Sequence, residues 1–173
     1  TYALRRFVEQ ADELGVLVMI SSVVGANNRR KLDPEEFRGF ALCDELAPLV
    51  FINGTDTKAA QMFTLAHELA HLWLGASALS DVGPVTVPTS AIEKWCNRVA
   101  AELLVPLDSL RAEYRTDADL QGELNRLARR YKVSTLVVLR RIYDAGALSR
   151  DELWHNYEHE LERLRHMAEV SGG

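Results

Sequence analysis

The chain has 173 residues, 47% of them hydrophobic and 26% charged, with a formal net charge of -5. This composition excludes a disordered or fibrous protein and leaves one globular domain, or a domain with an appendage, long enough to bury a core. The negative balance gives no overall attraction to nucleic acid or to an anionic membrane, so either partner would need a local basic region.

Cys43 and Cys96 are the only cysteines. They form no C-x-x-C pair and are too few for a disulfide framework, so a reducing cytoplasm fits best. No run approaches the roughly 18–20 apolar residues of a membrane span, and a signal-peptide pattern is missing at the N-terminus, so no membrane partner is expected. The first residue is Thr1 rather than Met, which points to a piece of a longer chain.

In chain order, Thr1 to Leu14 has the apolar spacing of an amphipathic helix, stopped by Gly15. The β-branched run Val16 to Val24 predicts a buried strand, and the polar Gly25 to Lys31 a solvated loop. A turn or short helix start at Asp33-Pro34 precedes two strands, Phe37 to Cys43 and Leu49 to Asn53, close enough to pair antiparallel. Asp56 is the expected N-cap of a helix from Ala59 to Gly75. Pro and Gly mark Ala76 to Thr89 as a loop, and a second helix, Ser90 to Val105, ends at Pro106. Leu107 to Thr116 predicts a short helical piece, and Asp119 to Tyr131, Thr135 to Ala145 and Ser149 to Ala168 predict further helices. The fold class is therefore α+β, with a small antiparallel or mixed sheet and a helical C-terminal extension.

The helix from Ala59 is apolar nearly all round, except for a stripe of Thr64, His67, Glu68 and His71. His-Glu-x-x-His puts two imidazoles one turn apart on one face with a carboxylate beside them, the pattern of a zinc site. Such a site needs a third protein ligand and an open position for water. In the second helix Glu93 falls at the margin of the apolar face, where a carboxylate is costly unless it is paired or coordinated. Asn97 lies one turn beyond and could orient a zinc-bound imidazole. His67, His71 and Glu93 would then hold one Zn2+ per chain, with Glu68 as general base.

FTLAHELAHLWLG, preceded by FRGFALCDELAPLVFING and followed by IEKWCNRVAAELLVP, resembles the metallopeptidase domain of the ImmA/IrrE family over roughly Phe37 to Pro106. The resemblance implies a zincin-like, gluzincin-type fold, with His67, His71 and Glu93 as zinc ligands, Glu68 as catalytic glutamate and Asn97 behind the metal. It also implies a specific protein substrate, a helix-turn-helix repressor cleaved in a stress response, and a DNA-binding domain preceding Thr1. On this reading residues 1–110 form the peptidase domain and 111–173 a helical extension. A substrate peptide would pair along an exposed strand edge, for which Leu49 to Asn53 is the expected platform.

Other features have plainer readings. Glu93 could instead form a salt bridge with Lys94 or Arg98, and Glu102 is a weaker substitute ligand. His155 and His159 stand four apart on a charged helix and read as exposed surface. Cys96 reads as core. Tyr114, Tyr131, His155 and His159 are unranked candidates for stabilising an oxyanion. Residues 124–142 place arginines around a Val133-Ser134 turn between helices, like a helix-turn-helix reader of DNA but without the usual turn glycine. Packing or substrate docking is the preferred role for that segment, and direct DNA binding the alternative.

Overall fold

The computed structural model describes residues 2–25, 27–75, 78–80 and 91–171. These fall into two compact units, Thr1–Leu104 and Val105–Gly173. The fold is α+β, as the residue patterns indicate.

The first unit contains helix α1 (Tyr2–Glu13) and strands β1 (Leu17–Ser21), β2 (Val23–Val24), β3 (Asn27–Lys31), β4 (Gly39–Leu42) and β5 (Leu49–Asn53). Helix α2 (Lys58–Trp73), strand β6 (Ala78–Ser80) and helix α3 (Ala91–Leu104) follow. One mixed sheet has the order β1-β5-β4-β6, and β2 and β3 form a separate hairpin. β1 runs parallel to β5, whereas β4 is antiparallel to both β5 and β6. The alternation of β5 sends Val50 and Ile52 into a core shared with Leu4 and Ala11 of α1 and Met62, Leu65 and Leu69 of α2. Across the other face Phe40 stacks on Phe51 at 5.1 Å.

The structure departs from expectation at several places. The run Val16 to Val24 is not one buried strand: it breaks at Ser22, and among the described residues β1 is a sheet edge, with Leu17 and Met19 about half exposed. β-branched composition reports strand propensity, not how many neighbours the strand has. Asn27 to Lys31, expected within a loop, pairs with β2 as an exposed hairpin. The α2 N-cap is Thr57, whose side chain accepts from Ala60 N, while Asp56 pairs with Arg38 at 2.7 Å. Leu49 to Asn53 has no free edge, being hydrogen-bonded to β1 on one side and β4 on the other, so it is not an open platform. Of the predicted loop after Gly75, residues 78–80 form β6, and residues 76–77 and 81–89 lie outside those described, as do Ser90 and the C-terminal 172–173.

The second unit is built of α4 (Leu107–Glu113), α5 (Leu120–Tyr131), α6 (Thr135–Asp144) and α7 (Arg150–Ser171). Asp119 and Ser134 cap α5 and α6 through bonds to Gly122 N and Val137 N. Lys132, standing where a turn glycine was missed, adopts the left-handed conformation at φ 61°. α6 packs against α4, α5 and α7, and its N-terminal half, Thr135 to Leu139, is buried. A recognition helix presents that end to base edges, so α6 is not disposed as one.

Candidate metal centre

Helix α2 lies against the sheet on one side and α3 on another. An apolar sequence suits that position, and the cost falls on its polar stripe, because every group there leaves water. His67, Glu68 and His71 are 5%, 0% and 1% exposed. Gly75 ends the helix in the left-handed region at φ 67°, where a side chain would be strained.

The two histidines, one turn apart, bring their Nε2 atoms to 3.1 Å of each other. From α3, Glu93 closes the triangle: Oε2 is 3.2 Å from His67 Nε2 and Oε1 is 3.2 Å from His71 Nε2. Among the described residues this is the group of metal-ligating side chains close enough to share an ion. Glu93 is 22% exposed, which leaves an approach from solvent at that side.

Burial pushes the His67 imidazole down to about 4, with the neighbouring His71 acting in the same direction and a hydrogen bond with Asn97 opposing. Burial also lowers His71, against the pull of Glu93. Both rings are therefore neutral near pH 7, so their contacts with Glu93 are not ion pairs. Neutral imidazole is the form that ligates a metal. Two ring nitrogens with available lone pairs and a carboxylate turned toward one point make a donor set that a divalent cation fits. The Nδ1 atom of His71 is buried with no hydrogen-bond partner among the described residues. Phe63, one turn before His67, stacks its ring on that imidazole at 6.4 Å.

Other candidates fall elsewhere. Cys96 is fully buried, and burial together with the Glu93 and Glu68 carboxylates pushes its thiol up to about 12, so it behaves as core. Glu102 is exposed and outside the triangle, and so are His155 and His159. Tyr114, Tyr131, His155 and His159 all belong to the second unit. A close neighbour that sequence reading missed is Gly39 of β4, against which Thr64 and Glu68 pack. The signal was available: a glycine inside a strand marks close backbone approach.

No described helix is long and apolar enough to cross a membrane. No curated protein matches the chain. The IrrE N-terminal-like domain of the M78 peptidases does match, over residues 11–143. Since that span runs from the end of α1 through both helices of the triangle and on to α6, the chain belongs to the M78 peptidase family.

Proposed function

We propose that the protein is a zinc-dependent endopeptidase in which His67, His71 and Glu93 hold the metal and Glu68 is the general base. The observation that carries this reading is the triangle of 3.1, 3.2 and 3.2 Å. Ligand atoms about 2.0–2.1 Å from a tetrahedral zinc lie about 3.3 Å apart, so little adjustment is needed. Bound zinc would acidify a water and polarise the scissile carbonyl. Glu68, adjacent to His67 on the same helical face, is the carboxylate that would take a proton from the attacking water and deliver it to the leaving amine nitrogen. Asn97, hydrogen-bonded to His67, steadies the imidazole.

The substrate is one specific regulatory protein, a helix-turn-helix repressor removed in a stress or mobile-element response inside the cell. Family resemblance supports that choice, and the site geometry is neutral to it. A non-cleaving, metal-stabilised docking module has no use for a general base, and the retained Glu68 speaks against it. The burial of α6 speaks against a DNA reader built on residues 124–142.

The test is Glu68→Gln in zinc-loaded protein incubated with a panel of purified helix-turn-helix repressors. The wild type should cut at least one, and the variant should retain one zinc per chain while cutting about 10²–10⁴-fold more slowly. Undiminished cleavage by the variant would remove Glu68 from the mechanism.

A further inference from the structure

β4 meets α2 through its smallest residues. Gly39 and Ala41 alternate onto the same side of the strand, and both are buried. A carbon added at Gly39 would lie 2.5 Å from Thr64 Cγ2 and 2.7 Å from the Phe51 carbonyl oxygen, distances that admit no side chain. The same carbon would lie 3.6 Å from Glu68 Cγ, within ordinary contact of the glutamate stem. Gly39 is not among the residues with positive φ, so glycine is required here for space rather than for backbone conformation.

The strand cannot readily move aside. Gly39 is paired with Ile52 on one edge and Ser80 on the other, and the next residue, Phe40, is stacked on Phe51. Added bulk meets two neighbours, the Phe51 carbonyl held within the sheet and the Thr64–Glu68 turn of α2, and the tighter of the two contacts is with Thr64. Thr64 is 5% exposed, and its methyl fills the gap above Gly39 one turn before Glu68.

We infer that Gly39 is a positioning residue for Glu68: it lets the β4 backbone lie directly on the Thr64–Glu68 turn and so sets the direction from which the carboxylate reaches the His67–His71–Glu93 triangle. Thr64 is the matching surface on the helix, which accounts for its place in the polar stripe. The assignment rests on the hydrolytic reading above. It predicts that bulk at position 39 misdirects Glu68 while the partly exposed Glu93 follows the histidines and keeps the metal.

The probe is acetohydroxamic acid, a small metal ligand that also hydrogen-bonds to a neighbouring carboxylate and needs no substrate specificity. Zinc-loaded wild type, Glu68→Gln, Gly39→Ala and the double variant Gly39→Ala with Thr64→Ser are titrated with it, and zinc per chain is measured for each. Glu68→Gln should weaken hydroxamate about tenfold, the size expected for one charge-assisted hydrogen bond. Gly39→Ala should show a similar loss at one zinc per chain, and the double variant, lacking the threonine methyl, should recover part of it. If Gly39→Ala fails to fold, Thr64→Ile adds bulk from the helix side of the contact and leaves the β4 backbone unsubstituted, and should show the same loss. Wild-type hydroxamate affinity in the folded variant, or zinc lost in step with hydroxamate, overturns the positioning role. A wild type that holds no zinc, or whose hydroxamate affinity ignores Glu68→Gln, overturns the hydrolytic reading instead.

Discussion

Both units bury charge-bearing side chains, and they do so in opposite ways. In the second, each buried carboxylate meets a guanidinium: Glu123 takes two 2.7 Å bonds from Arg126, and Glu160 takes bonds of 2.7 and 2.6 Å from Arg163 and another from Thr135. In the first, two buried imidazoles of α2 and the partly buried Glu93 carboxylate of α3 are turned toward one another around a single point, beside the buried Glu68. Donors matched to acceptors hold a fold together. Lone pairs gathered on one point make sense when a cation completes them, and this contrast separates a structural polar core from a site.

The largest effect should come from removing a corner of the triangle. Glu93→Ala is expected to lower zinc affinity by more than the roughly 100-fold upper range typical of outer hydrogen-bonding partners, bringing the metal content of purified protein well below one per chain. Unchanged content by elemental analysis would show that Glu93 is not a ligand and that the contrast between the units is not one of metal binding.

Next in size is the matched side. Arg163→Met leaves Glu160, 1% exposed, without its cation and should cost about 3 kcal/mol in unfolding free energy. Burial raises the Glu160 carboxyl, but Arg163 and Thr135 outweigh it and hold the group below the usual carboxylate range. Its contribution to stability is therefore present above the unfolded-state pKa of about 4.3 and is lost as pH falls through the lower folded value. In the variant only the hydrogen bonds from Thr135 and Gln121 still oppose burial, so the carboxyl lies higher than in wild type and acidification relieves the buried charge earlier. The gap in Tm between wild type and variant should narrow from pH 7 to pH 4. A constant gap would mean that Arg163 contributes packing rather than charge.

The smallest effect concerns the turn between α5 and α6. Lys132→Gly removes the left-handed strain of a side chain at φ 61° and should raise stability by about 0.5–1 kcal/mol, visible as a higher urea midpoint at unchanged m. Zinc content should not change. A destabilised variant would show that the lysine stem packs usefully enough to outweigh the strain.

The legible parts of the molecule were those governed by local periodicity. The α2 stripe, the Pro106 stop, the core position of Cys96 and the helices of the second unit all follow from spacing along one element. The misread parts depend on neighbours. Val16 to Val24 has the composition of a buried strand, yet β1 has one partner among the described residues, and Asn27 to Lys31 is too polar to look like a strand, yet it completes a hairpin. Asp56 and Thr57 are both good caps, and the choice went to Thr57 because Arg38, eighteen residues earlier, engages Asp56.

By itself the sequence determined that His67, Glu68 and His71 share one face of a helix too apolar to sit in water, because an α-helix repeats every 3.6 residues regardless of its surroundings. The tertiary structure decided which carboxylate from α3 comes within 3.2 Å of those imidazoles, that burial keeps the rings neutral, and that Gly39 walls the stem of Glu68. Those outcomes depend on how closely elements distant in sequence can approach. The closeness is set by the size of the side chains between them, which no single periodic pattern records.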